Sequence, residues 1–191
     1  MAEALRILGY TVTGPNGVED PEIARNLIPM VMKLTQEFDA FQDNPWPIVF
    51  REMDEACPGS KFILTIRNDK QWINSVCNHF GKKSTPMRKF IYGLGYPKGN
   101  ERIYLKRYND HNKEVLKYFD SRPHDLLVMD ITKGDGWEKL CSFLGHDILK
   151  TPFPKTNTAA ERSKSRVRKF CAKIFLKIKR KWKKKNDKRN C

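Results

Sequence analysis

Apolar residues along this chain recur at two periods, and the alternation between them outlines its elements. Residues 62–66, Phe-Ile-Leu-Thr-Ile, hold four apolar positions in five, the run of a strand covered on both faces in an open parallel sheet. Residues 126–129 form a second such run, ending at Asp130, and residues 38–43 and 10–13 are shorter extended candidates. Between them the spacing turns helical. Ile23, Leu27, Val31, Leu34 and Phe38 share one face of a helix that Pro29 should kink. Trp72, Val76 and Phe80 belong to a helix directly after residues 62–66. The longest helix spans residues 100–119, with Ile103, Tyr104, Tyr108, His111, Val115 and Phe119 near one face.

Punctuation along the chain agrees with these limits. Asp20-Pro21, Asn44-Pro45 and Thr85-Pro86 each read as a cap followed by proline at a helix start, the second helix running to about residue 56. Gly9 closes a first short helix at residues 2–8, and Gly145 ends another at residues 137–144. Residues 14–17, 93–99 and 151–157 are loops. Strands of four to six residues separated by helices predict an α/β fold, a parallel sheet flanked by helices.

Charge divides the chain in two. The net charge is +15, yet residues 161–191 carry fifteen Lys or Arg against two acidic residues, leaving residues 1–160 at +2. The body is nearly neutral and the tail is a cation. In that tail Val167, Phe170, Cys171, Ile174, Phe175, Ile178 and Trp182 fall close to one helical face. A basic amphipathic helix of this kind suits an anionic membrane surface, here through residues 167–185, and packing of its first turns on the domain is the alternative. No recognition motif supports nucleic acid. No apolar run is long enough to span a bilayer, and residues 1–10 lack the pattern of a signal peptide. A cytoplasmic or membrane-surface location is therefore expected, subject to what lies upstream. Five cysteines without short repeated spacing predict reduced thiols at Cys57, Cys77 and Cys141, and four histidines without a ligand pattern predict no metal.

Candidate chemistry centres on residues 61–80. Arg67 stands at the strand exit, Asn68 and Asp69 can cap the next helix, and Ser75 follows two helical turns on. A guanidinium fork, a helix N-terminus and a hydroxyl together make a phosphate seat.

The words AEALRILGY (2–10), GPNGVEDPEIA (14–24), FDAFQDNPWP (38–47), PGSKFILTIRN (58–68), YNDHNKEVLKYF (108–119), DLLVMDITKGDGWEKLCSFLG (125–145) and PFP (152–154) resemble P-loop-fold sulfotransferases. The closer likeness is to their short branch of unassigned substrate. The resemblance implies a nucleotide-kinase-like fold for residues 1–157, with residues 158–191 as a basic helix and tail. It also implies transfer of a sulfuryl group from 3'-phosphoadenosine 5'-phosphosulfate to a hydroxyl or amine of a small-molecule or glycan acceptor. In that family an arginine at a strand end and a serine eight positions on hold the 3'-phosphate, here Arg67 and Ser75. Where well-known relatives place a histidine that activates the acceptor, this sequence has Asp43, which can act as base or cap the following helix. His111 is the second candidate base, with packing its alternative. Trp46 and Tyr96 are candidate pocket walls with packing as the favoured alternative, and Lys133 and Gly134 border the region implied for the site.

The family's first strand and a donor loop similar to KTGTTSL precede the helix matching residues 2–8. Neither is in this sequence, so the expectation is an N-terminally incomplete domain. Three accounts stay open: a fragment, a noncatalytic nucleotide-binding or membrane-surface protein on the same scaffold, or a chain completed by another. Loss of a single oxyanion donor costs about 3 kcal/mol of transition-state stabilisation in comparable settings, which is why the loop matters.

Overall fold

Phe62–Thr65 (β3) and Leu126–Met129 (β4) pair in parallel, Phe62 opposite Leu126 and Thr65 opposite Met129, in the computed structural model, which describes residues 1–154. Alternation along a strand sends neighbouring side chains to opposite faces. On one face Phe62, Leu64 and Leu126 pack with Phe50, Val115 and Phe119. On the other, Ile63, Leu127 and Met129 pack with Ala4, Trp137, Leu140 and Cys141. The strands are covered on both sides, as the unbroken apolar run predicts.

Val12–Thr13 (β1) and Ala40–Phe41 (β2) form a second parallel pair, Val12 opposite Ala40 and Thr13 opposite Phe41. Helices complete the fold: Ala2–Ile7 (α1), Ile23–Leu34 (α2), Phe50–Ala56 (α3), Asp69–Phe80 (α4), Pro86–Tyr92 (α5), Glu101–Tyr118 (α6) and Trp137–Leu144 (α7). The fold is thus α/β, two small parallel sheets flanked by helices, within a unit spanning Met1–Phe153. A third core cluster, Ile23, Leu27, Val31, Trp46, Val49, Met53 and Met87, joins α2, α3 and α5. The expectations for residues 158–191, including the membrane contact of residues 167–185, lie outside the described residues.

Several elements depart from the pattern for identifiable reasons. The strand expected at residues 38–43 is only two residues long. Asp39 turns its carboxylate onto the Thr11 N–H (2.8 Å) and hydroxyl (2.5 Å), and Asp43 has φ +62°, outside extended geometry. Pro29 does not interrupt α2, because Arg25, whose carbonyl loses its partner, lies on the exposed face where water can serve it. The helix expected after Asn44-Pro45 starts as a tighter turn at Trp46–Val49, with Trp46 and Ile48 donating three residues back to Asp43 and Pro45, and neither Asp43 nor Asn44 caps it. Ile103 points outward, 44 % exposed, one residue out of phase with buried Tyr104. Cys141 is buried and Cys57 and Cys77 are half-buried free thiols.

Gly14 ends β1 against β2. A Cβ there would stand 1.8 Å from the Gln42 carbonyl oxygen, and φ is +119°, so only glycine lets the two strand exits approach this closely.

Candidate functional site

Arg67 leaves the sheet one residue after Ile66, whose N–H still bonds the Met129 carbonyl at 2.8 Å. The Tyr108 hydroxyl holds it there from α6. It accepts from the Arg67 N–H at 2.8 Å and donates to the Arg67 carbonyl at 3.2 Å. The Tyr108 ring in turn stacks on Trp72 of α4, centroids 4.2 Å apart and planes 16° off parallel. Asp69 accepts from the Asn109 side chain at 3.0 Å, a second tie between α4 and α6. The strand exit is therefore clasped on both backbone groups by a helix distant in sequence.

Asn68 caps α4, its side-chain oxygen accepting from the Lys70 and Gln71 N–H groups at 3.1 and 3.3 Å. The cap expected from sequence is thus made by Asn68, and the Lys70 and Gln71 N–H groups serve it. The half-buried Arg67 side chain remains, its Nε donating to Gln71 Oε1 at 3.4 Å. Residues four apart on a helix share a face, so half-buried Ser75 sits one turn beyond Gln71 on the side along which Arg67 is laid. Among the described residues Arg67 makes no ion pair. A guanidinium without a carboxylate partner and a hydroxyl nearby on α4 are groups that could hold an oxyanion such as a phosphate monoester.

Asp43 is exposed at the exit of β2, its Oδ1 accepting the Asn44 N–H at 2.7 Å. Trp46 is buried rather than lining a wall: it packs on Phe41 at 4.1 Å and donates its indole N–H to Asn16 Oδ1 at 2.9 Å. Tyr96 is exposed, and Lys133 projects into solvent 3.9 Å from Asp130. Gly134 takes φ +104° after the short turn at Ile131–Lys133.

His111 faces inward from the middle of α6, with Phe50 meeting its ring edge-on at 6.0 Å. Burial lowers its pKa, the Arg107 charge one turn earlier adds to the effect, and Glu114 opposes it. His111 Nδ1, Arg107 Nη1 and Asn112 Oδ1 are buried atoms without a hydrogen-bond partner among the described residues. The α5 phenol of Tyr92, stacked on Tyr104 at 3.8 Å, is raised in pKa chiefly by burial. Arg107 and Arg88 lower it and Asp43 raises it, so the Asp43 loop and the middle of α6 act on one buried ring.

The structure thus brings Arg67 at the β3 exit against Gln71 of α4, with Ser75 one turn further on, and places His111 with Arg107 on α6, Tyr108 linking the two helices. Sequence reading missed Tyr108, Gln71 and Arg107. The available signals were Tyr108 on the inner α6 face and the four-residue spacings Arg67–Gln71, Gln71–Ser75 and Arg107–His111. Among the described residues no three His, Cys, Asp or Glu side chains come together to hold a metal, and no described helix is long and apolar enough to cross a membrane.

The α/β scaffold thus holds a clasped arginine at a parallel-strand exit. A family model for the sulfotransferase domain matches residues 1–98 and 87–162, most of the chain. The chain belongs to the sulfotransferase-domain family, in agreement with the likeness carried by its sequence words. A search of curated proteins returned no match.

Proposed function

We propose that this protein binds 3'-phosphoadenosine 5'-phosphosulfate through Arg67 and Ser75 and serves sulfuryl transfer to a hydroxyl or amine acceptor. When bound, that donor supplies the activated sulfuryl group. The observation that carries the reading is the lie of Arg67: its backbone fixed by Tyr108, its Nε bonded to Gln71 one turn before Ser75 on α4, and no carboxylate neutralising it among the described residues. Fixed charge costs no reorganisation when the ligand arrives, so a preset fork is worth more than a flexible one. His111 and Asp43 are the candidates to take the acceptor proton. His111 is the better placed, because a half-buried imidazole whose pKa is lowered by burial can accept a proton at pH 7 while Asp43 lies in solvent.

Calorimetric titration of the full chain with 3'-phosphoadenosine 5'-phosphate tests the donor site. Binding by the parent that disappears in Arg67→Ala and weakens about tenfold in Ser75→Ala, the loss of roughly one hydrogen bond, is the expected result. A folded parent that does not bind refutes it.

A second reading, a noncatalytic nucleotide-binding or membrane-surface protein on the same scaffold, draws on the +13 charge of residues 161–191. Sedimentation with vesicles of increasing anionic lipid tests the membrane contact of residues 167–185, and indifference to lipid charge removes it.

A further inference from the structure

We propose that α5, the loop after it and the first turn of α6 form a membrane-docking face. Phe90, Leu94, Tyr96 and Ile103 enter an anionic lipid surface there, and the cations around them meet its headgroups. The face stands whether or not Arg67 binds nucleotide, and it uses none of residues 161–191.

Charge and apolar exposure coincide on one short piece of the chain. Residues 81–107 hold eight Lys or Arg against a single acid, Glu101, a net +7. Residues 1–160 together carry only +2, so the rest of that body stands at −5. Four of the eight large apolar side chains exposed among the described residues, Phe90, Leu94, Tyr96 and Ile103, lie on the same piece. Single exposed apolar residues need no explanation, but four gathered among cations do. Acids take up only part of the charge: Glu19 stands 3.5 Å from Lys83, and Asp110 pairs with Lys106. Lys82, Lys89, Lys98 and Arg102 are exposed and make no ion pair among the described residues.

Local geometry turns both sets outward. Burial alternates through the loop, with Leu94, Tyr96 and Lys98 exposed and Gly95 and Pro97 buried. A Cβ on Gly95 would stand 1.9 Å from Ser84 Oγ, so its lack of a side chain lets the loop lie against residues 82–84. Buried Arg88 ties the two together, donating from Nε to the Gly95 carbonyl at 3.0 Å and from Nη2 to the Lys83 carbonyl at 2.7 Å. The Lys98 N–H adds a bond to the Gly81 carbonyl at 3.2 Å. On the other side the Tyr104 hydroxyl donates to the Leu94 carbonyl at 2.8 Å, and the Asn100 amide to the Tyr96 carbonyl at 3.1 Å. These bonds hold the loop to the turn of α6 that carries Arg102 and Ile103. Met87, fully buried, anchors α5 in the core from behind. The exposed side chains make none of these bonds, so the face is rigid without using them.

A polyanion would satisfy the cations and leave the four apolar side chains in water. A bilayer with anionic headgroups above hydrocarbon meets both, each cation near such a surface strengthening binding about fivefold.

The test uses the full chain and phosphatidylcholine vesicles with or without phosphatidylserine, read by sedimentation and by quenching from lipids brominated in their acyl chains. Leu94→Trp places a reporter on the face, its signal taken as the difference from the parent. The expected result is salt-sensitive binding to the phosphatidylserine vesicles, with the added indole quenched. Lys82→Glu with Lys98→Glu, and separately Leu94→Ser with Tyr96→Ser, should each weaken binding about tenfold or more. Should a double variant fail to fold, single Lys98→Glu and Leu94→Ser take its place. The tail is unchanged in every variant and cannot account for the loss. A parent that ignores the vesicles, an added indole left unquenched in the bound protein, or variants that sediment like the parent overturns the proposal. Dextran sulfate binding that Lys82→Glu with Lys98→Glu abolishes, without vesicle binding by the parent, makes the face a polyanion site and overturns it too.

Discussion

Replacing Tyr108 by Phe removes one oxygen and tests whether α6 sets the geometry of the strand exit. The ring stays, and with it the 4.2 Å stack on Trp72, so the change isolates the hydroxyl. Two hydrogen bonds go with it, from the Arg67 N–H at 2.8 Å and to the Arg67 carbonyl at 3.2 Å. Each is worth about 1 kcal/mol net, and a backbone group left half-buried without a partner costs somewhat more. The expected loss is about 2 kcal/mol of folding stability, which for a chain of this size lowers Tm by roughly 4–8 °C. Urea or thermal unfolding followed by circular dichroism measures it.

The same substitution should reach the nucleotide. With its backbone released, Arg67 keeps its charge but loses its fixed direction, and the ordering cost moves to the binding step. A loss of roughly tenfold in affinity for 3'-phosphoadenosine 5'-phosphate corresponds to about 1.4 kcal/mol, within what an unanchored side chain costs. The comparison with Arg67→Ala matters here: that variant should lose binding with little change in stability, whereas Tyr108→Phe should lose part of both. A Tyr108→Phe protein as stable as the parent, binding nucleotide equally well, would refute the claim that α6 presets the seat.

Three further outcomes follow from the packing. Asn68→Ala leaves the Lys70 and Gln71 N–H groups uncapped and should cost about 1 kcal/mol in denaturant unfolding, while Asn68→Asp should be close to neutral. Asp54, held below the usual carboxylate range first by hydrogen bonds from Arg122 and further by the Tyr118 hydroxyl, favours folding above its ordinary pKa. That contribution fades as pH falls through its depressed folded value, so Asp54→Asn should lower stability by about 1–2 kcal/mol at pH 7 and flatten the acid limb of the stability profile. Leu140→Ala empties a fully buried site between α7 and β4 and should cost about 2–5 kcal/mol by the same unfolding assay.

What could be read from sequence divides along a physical line. Local rules placed Leu126–Met129, Trp137–Leu144 and Pro86–Tyr92 to the residue or nearly so, because each is bounded by its own punctuation: Asp130, Gly145, and Thr85 whose hydroxyl accepts the Arg88 N–H. The extent of β2 could not be read that way, since what shortens it is Asp39 reaching back across to Thr11, a contact between residues 28 apart. The same line runs through the site. Arg67 and Ser75 stand out by type and spacing at a strand exit, yet what orients Arg67 is Tyr108, 41 residues away, and nothing near Arg67 in sequence announces it. His111 could be singled out as a histidine on an inner face. That burial and Arg107 hold it neutral follows only once α3 and α6 pack together. Tyr108 and Arg107 are adjacent, and α6 sets one against the β3 exit while the charge of the other acts on Tyr92 of α5. Because α6 clasps the Arg67 backbone through Tyr108 and carries the neighbouring Arg107 whose charge acts on His111, a shift of α6 should disturb both together.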